Sequence, residues 1–177
     1  MKKIFSFILS LMFVSVIMVS CGPTTDDAVK YNDKLVEQQT KVFDKESALI
    51  EAISKNMPDK LDVLLSDLSK QVDSSTAAVN SMQGFDGKTE LKDAALKVFS
   101  TYKEVTEKDY KDMIKFAKTP DSLYTQEDDN KLIESSKKID DKLNKCIDDF
   151  VLLQTKFAEK YKFELNNTEK AMEKEKK

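Results

Sequence analysis

The sequence predicts an all-α protein, an elongated antiparallel up-down four-helix bundle over residues 26–168, followed by a charged tail at 169–177. Two observations predict this fold. The three prolines and three glycines stand at positions 22, 23, 58, 84, 87 and 120, and they leave four long segments that contain neither residue. In each segment apolar residues recur at helical spacing, and none sustains the alternation of a β-strand. Because the connecting turns are short, neighbouring helices are expected to be antiparallel.

The first two helices are predicted over residues 25–57 and 58–82. An apolar residue stands at every seventh position of the first helix, which is the pattern of a bundle seam. This row is Val29, Val36, Phe43, Ile50 and Met57, with a second row beside it at Ala28, Leu35, Val42 and Leu49. The second helix opens with Pro58, since proline is tolerated in a first helical turn. It ends before a turn at residues 83–87, which contains two glycines.

The third and fourth helices are predicted over residues 88–118 and from about 125 to 168. Asp109 interrupts the apolar row of the third helix. The fourth helix begins near Thr125, whose hydroxyl can cap the free amides of the first turn. Cys146 lies within the apolar stripe of this helix, which predicts a buried thiol that acts as a small hydrophobic side chain.

The amino-terminal segment has the layout of an export signal. Lys2 and Lys3 precede sixteen largely apolar residues, fewer than the roughly 20 that span a bilayer, and the stretch ends in Ser20-Cys21-Gly22. A small residue before a cysteine at this place resembles the lipobox of bacterial lipoproteins. The resemblance implies a signal peptide at 1–20, lipid on Cys21 and a short tether at 21–25, with an uncleaved membrane anchor as the other interpretation. Several acyl chains give stable anchoring where one is marginal.

The amino-acid composition argues against several classes of function. All 29 basic residues are lysines, and the chain has no histidine, arginine or tryptophan. Without histidine there is no imidazole base and no histidine-paired nucleophile, and without arginine there is no bidentate fork for phosphate. The formal net charge of −3, without a basic stripe, argues against nucleic-acid binding. We therefore expect a protein that is not an enzyme, with no catalytic residues, no metal and no cofactor besides the covalent lipid.

Three polar residues recur seven apart in the first helix, at Asn32, Gln39 and Glu46, on a position that flanks the apolar row. Polar groups that are partly inside a bundle need partners. One interpretation is a buried amide that sets the helix register or borders solvent. The other is a ligand site in which Tyr31, Asn32 and Gln39 surround a pocket.

The segment soon after Cys21 contains Tyr31-Asn32-Asp33, with Gln39 two turns further along. It resembles a family of surface lipoproteins of unknown function from spirochaetes and Bacteroidota, in which Tyr-Asn-Asp followed by a glutamine opens a long helical domain. The resemblance is specific at the amino end and only architectural beyond it. It implies an envelope location and a helical fold, and it carries no activity.

Acidic residues cluster on the third and fourth predicted helices, and carboxylate oxygens are the ligands that calcium and magnesium prefer. No EF-hand spacing accompanies them, so we predict solvated faces whose acids pair with nearby lysines. The residues concerned are Asp109, Asp112, Asp140, Asp141, Asp148 and Asp149.

The residues after Cys21 bear on location. Gly22 is not the aspartate that retains some lipoproteins in the inner membrane, which favours the outer membrane. Asp26 and Asp27 resemble the surface-export signals of Bacteroidota lipoproteins, or are first-turn acids of a helix. The predicted function is an outer-membrane-anchored binding module, on the cell surface or the periplasmic face, for an unknown protein or envelope macromolecule. The alternative is a periplasmic bundle that binds a small ligand or a metal.

Overall fold

The computed structural model describes residues 22–120 and 122–165, and this part of the chain is all-helical with no strand. The helices are α1 (Thr25–Ser54), α2 (Pro58–Asn80), α3 (Glu90–Glu107), α4 (Asp109–Ala117) and α5 (Gln126–Tyr161). The all-α prediction is confirmed. The signal segment, Cys21 and the charged tail at 169–177 lie outside the described residues.

Local interactions explain where α1 begins and where it ends. The Thr24 hydroxyl accepts a hydrogen bond from the Asp27 amide at 3.2 Å, and the Asp27 carboxylate accepts one from the Thr24 amide at 3.0 Å, which forms a capping box. The helix ends at Ser54, short of the predicted residue 57, because Asn56 adopts a left-handed conformation with φ 50°. Pro58 then starts α2 as predicted.

The predicted third helix is wrong in one respect, because the chain breaks at Lys108 into α3 and α4. Lys108 has φ −126° and ψ −70°, outside the helical range. A carboxylate in a core-facing row requires charged partners. The change of direction at Lys108 brings Asp109 to Lys138 and Lys142 of α5, which supply them.

Thr125 caps α5 as predicted. Its hydroxyl accepts a hydrogen bond from the Asp128 amide at 3.4 Å, and the Asp128 carboxylate accepts one from the Thr125 amide at 2.9 Å. The helix ends at Tyr161 and not at residue 168, since Lys162 adopts the left-handed conformation with φ 58° that commonly ends a helix.

The five helices of the described residues pack as four, because the consecutive helices α3 and α4 together take the place of one, here called the α3–α4 leg. α2 lies against α1 and α3, and α5 lies against α3, α4 and, less closely, α1. The row of α1 at the centre of the core is Ala28, Leu35, Val42 and Leu49, all fully buried. In the other row of the predicted seam, Phe43 and Met57 are partly buried against the core, whereas Ile50 is 48% exposed.

Several contacts bring distant segments to one end of the molecule, here called the Thr25 end. The Thr25 hydroxyl donates a hydrogen bond to the Tyr161 carbonyl at 2.9 Å, which joins the start of α1 to the end of α5. The Tyr31 ring lies 5.1 Å, centroid to centroid, from that of Phe85 in the α2–α3 loop. Within the described residues, no helix combines the length and apolar character needed to cross a membrane.

Candidate functional site

Two of the three residues in the polar row of α1 lie inside the bundle, and the third, Glu46, is half-buried. Asn32 and Gln39 are both buried, and Glu46 follows one heptad later on the same face. The Asn32 side-chain oxygen accepts a hydrogen bond from Gln154 Nε2 of α5 at 2.9 Å. A matched amide pair therefore joins α1 to α5, and the interpretation of Asn32 as a residue that borders solvent is wrong.

Gln39 has a different environment. The residue is 2% exposed, and its Nε2 has no hydrogen-bond partner among the described residues. A buried donor without a partner lowers stability by about 1–3 kcal/mol. Gln39 is therefore a weak point of the core, whereas Asn32 is not.

We expect Gln39→Met to raise the free energy of unfolding by about 1–2 kcal/mol, because the thioether fills a similar volume and removes the unpaired donor. Urea unfolding followed by circular dichroism measures the change. The matched control is Asn32→Leu, which leaves the buried Gln154 amide without its Asn32 partner and should destabilise the fold. A loss of stability in Gln39→Met would contradict this account of Gln39.

Glu46, the third residue of the polar row, contacts two tyrosines. Its carboxylate accepts hydrogen bonds from the hydroxyls of Tyr102 at 2.6 Å and Tyr110 at 2.5 Å. Burial raises the pKa of Glu46, the two tyrosine hydroxyls lower it, and the charge of Asp140 raises it further, so that the pKa stays above its ordinary value. Burial and the Glu46 charge raise the pKa of both tyrosines. The group is a half-buried carboxylate held by two tyrosine hydroxyls, here called the Glu46 cluster.

The sequence contains a signal for this cluster. Glu46 continues the heptad of Asn32 and Gln39, and Tyr102 lies in the apolar row of the third predicted helix. A buried tyrosine hydroxyl requires a partner, and so does a buried carboxylate. The sequence does not show how α1 is aligned with α3 and α4, and this alignment places Glu46 beside the two tyrosines.

Asp109 occupies the first position of α4, and its side chain is only 2% exposed. Lys138 Nζ and Lys142 Nζ each lie 2.7 Å from one of its oxygens, and Lys142 also lies 2.7 Å from Glu104. Burial alone would raise the pKa of Asp109, but the hydrogen bonds from the two lysines outweigh it and lower the pKa. The predicted pairing with lysines is confirmed at this site, whereas the predicted solvation of Asp109 is wrong.

The remaining acids of the two helices do not converge. Asp112 pairs with Lys115 at 2.7 Å on the surface, and Asp140 and Asp141 are exposed. In the part of the chain that the structure describes, no group of three or more acidic or cysteine side chains could hold a metal ion. The predicted burial of Cys146 is confirmed, and burial raises the pKa of its thiol.

A cleft of about 180 Å³ opens at the Thr25 end, here called the end cleft. It is lined by four aromatic residues from three separate segments and by the lysines 88, 156 and 160; the aromatic residues are Tyr31, Phe85, Phe157 and Tyr161. Phe85 is held by a tight loop, because a Cβ on Gly84 would lie 2.5 Å from the Lys88 carbonyl oxygen, and Gly87 has φ 71°. Distant chain segments thus build one aromatic surface.

A second, larger opening of about 550 Å³ lies between α2 and the α3–α4 leg, here called the α2–α4 groove. One wall is α2 from Asp62 to Asp73, and the facing wall includes Lys111 and Lys118. Ile114 contributes an apolar side chain to the lining. The groove opens where α4 packs mainly against α5 and only slightly against α2.

The predicted ligand residues do not surround one pocket. Tyr31 lines the end cleft, Asn32 pairs with Gln154 inside the bundle, and Gln39 is buried two turns further along α1. Neither opening described above is lined by Asn32 or Gln39. Comparison with known protein families, curated proteins and solved structures gave no match to this chain.

Proposed function

We propose that this protein is an outer-membrane-anchored lipoprotein, exposed on the cell surface or the periplasmic face, that acts as a non-enzymatic binding module. The basic start, the apolar run and Ser20-Cys21-Gly22 support the lipid anchor. The absence of histidine and arginine from the whole sequence supports a role in binding over catalysis. The resemblance of the Tyr31–Gln39 segment to surface lipoproteins points to the same location.

We propose further that α1, α2, the α3–α4 leg and α5 run alternately up and down as an elongated bundle. The contacts of Tyr161 with Thr25, and of Phe85 with Tyr31, support this path because they join the expected ends. At 1.5 Å per residue, the 30 residues of α1 extend about 45 Å. Anchored at the Thr25 end, such a rod would hold its other end well away from the bilayer.

The observation that carries the binding function is the α2–α4 groove. Its α2 wall extends about 16 Å from Asp62 to Asp73, which matches about five residues of an extended peptide. The walls carry acids, lysines and serines around apolar side chains. Asp62 pairs with Lys118 across the groove and Asp73 pairs with Lys103, so Glu107 and Lys111 are the charges offered to a polypeptide segment of mixed charge. Along α2 the groove lies between about 10 Å (Asp73) and about 27 Å (Asp62) from Asn80, the α2 residue nearest the Thr25 end.

A photoreactive residue placed in the groove tests this proposal in intact cells. We expect light-dependent adducts from Ser66 or Ser69 with one recurrent protein, identified by mass spectrometry, and several-fold weaker adducts when Lys111→Glu reverses a charge on the facing wall. Ser47, an exposed serine of α1, is the matched control and should give no such adduct. Equal labelling from Ser47 and Ser66, or labelling insensitive to Lys111→Glu, would remove the groove as the binding surface.

A further inference from the structure

We propose that the end cleft binds the phosphate and glycerol region of an anionic phospholipid in the membrane that carries the protein. The proposal rests on the lipid anchor proposed for Cys21. It adds a second, non-covalent contact with the bilayer, made by the folded domain. Four independent features of the cleft support it.

The first feature is position. Cys21 is four residues from Thr25, so at about 3.5 Å per residue the two cannot be more than roughly 14 Å apart. The Thr25 hydroxyl in turn contacts the carbonyl of Tyr161, whose ring lines the cleft. A lipid on Cys21 would therefore hold the cleft beside the headgroup layer.

The second feature is the aromatic lining. Phe85 packs against Tyr31, Phe157 and Tyr161 with ring centroids 5.0–5.2 Å apart, and all four residues are only partly buried. Partly exposed tyrosines and phenylalanines present apolar faces, and tyrosine adds a polar tip. Such side chains suit the region between headgroups and acyl chains. A cluster at one end of a rod is better placed for that region than for bulk water.

The third feature is charge. Lys88, Lys156 and Lys160 line the cleft together with one acid, Glu90. Two further carboxylates act on lining residues: Asp86 contacts Lys160 and Tyr161, and the charge of Asp93 acts on Tyr31. Lys160 is engaged by Asp86 at 3.2 Å, whereas Lys88 and Lys156 form no ion pair with the described residues. Two ammonium groups are thus available to a phosphate, which lysine binds as a point charge.

The fourth feature is Tyr31, which lines the cleft with its ring and whose hydroxyl is shielded from solvent and has no hydrogen-bond partner within the described chain. A phosphate or ester oxygen in the cleft would supply a partner once the Tyr31 side chain turned its hydroxyl toward the opening. A volume of about 180 Å³ equals that of about six water molecules, enough for a phosphate and part of a glycerol but not for acyl chains. The chains would remain in the bilayer.

The test uses the lipidated full-length protein reconstituted in phosphatidylcholine vesicles that contain a minority of phosphatidylglycerol with a photoreactive headgroup. We expect adducts on the peptides that carry Phe85 and Phe157. Lys88→Gln/Lys156→Gln should lower their yield by about tenfold, the scale expected for two lysines at an anionic surface. The matched control, Lys30→Gln/Lys34→Gln, removes two exposed charges of α1 outside the cleft and should change that yield by less than about twofold.

Failure of this inference can be separated from failure of the anchor. Cys21→Ser should move the protein out of the membrane fraction of cells if the anchor is correct. If wild-type protein is lipidated but its adducts fall elsewhere, or both lysine pairs matter equally, the cleft does not bind phospholipid while the anchor stands. If the wild-type protein carries no lipid, both proposals are overturned.

Discussion

Tyr102→Phe/Tyr110→Phe is expected to lower the free energy of unfolding by about 3–5 kcal/mol at neutral pH. Each hydroxyl donates to the Glu46 carboxylate inside the bundle, and a hydrogen bond to a charged group contributes about 1.5–3 kcal/mol. Both substitutions preserve the ring and its packing. The loss of stability therefore reports on the hydrogen bonds to Glu46 and not on the volume of the core.

The effect should depend on pH with a defined sign. The pKa of Glu46 in the folded protein already lies above the ordinary value of 4.5, so its contribution to stability is present below that pH and declines as pH rises through the folded-state pKa. Removing two donors that lower this pKa would raise it further. The difference between variant and wild type should thus be small near pH 4 and large near pH 7.

Urea unfolding at the two pH values measures the difference. Tyr31→Phe is the matched control, since its buried hydroxyl has no hydrogen-bond partner among the described residues. As with Gln39, removing an unpaired buried donor should not lower the free energy of unfolding and should raise it by up to about 1–2 kcal/mol. Glu46→Leu in the double-phenylalanine background should restore much of the loss. A deficit equal at both pH values would show that Glu46 is not the group responsible.

Lys138→Met/Lys142→Met is the second large expected effect, with a loss of about 2–3 kcal/mol at neutral pH. The variant leaves the Asp109 carboxylate, 2% exposed, without its two cations. Removing the partners of a fully buried charge costs about 3–5 kcal/mol. The smaller figure applies here because Lys138 is 54% exposed and water already screens the pair.

The triple variant with Asp109→Leu separates charge from packing. Replacing a whole ion cluster by apolar residues is often nearly neutral, so the third substitution should return stability to within about 1 kcal/mol of wild type. At acid pH the difference in free energy of unfolding between wild type and the double variant should become smaller. The pKa of Asp109 in wild type lies below 3.8, and its stabilising ion pairs are lost as pH falls through that pKa. Failure of Asp109→Leu to rescue the double variant would mean that the lysines act through packing alone.

Much of the helical architecture could be predicted because its determinants are local. The start of α2 at Pro58 and the cap at Thr125 follow from side chains within one turn of each helix end. The burial of Cys146 follows from its place in an apolar stripe. Two helix ends, in α1 and α5, were predicted too late, and both follow left-handed residues, Asn56 and Lys162. Asn56, two residues before Pro58, is a recognised helix-stop signal, whereas Lys162 carries no strong sequence signal.

The side-chain pairs could not be predicted in the same way. Neighbouring residues on a helix differ by about 100° in direction, so the choice between the Leu49 and Ile50 rows depends on how the other helices pack against α1. The same rotation brings Asn32 to Gln154 and leaves Gln39 Nε2 without a hydrogen-bond partner among the described residues. Sequence spacing identified these residues as unusual, but not what they contact.

By itself, the sequence determined that the chain is helical, where most helices begin, and which residue types are absent from any site. The tertiary structure alone decided that Asp109 breaks the third helix toward two lysines, that Glu46 meets two tyrosines and that Phe85 joins Tyr31 and Phe157. The physical reason is range. Helix formation and capping depend on interactions within about one turn, whereas pairing of charges, amides and rings depends on the rotation and register of helices far apart in the chain.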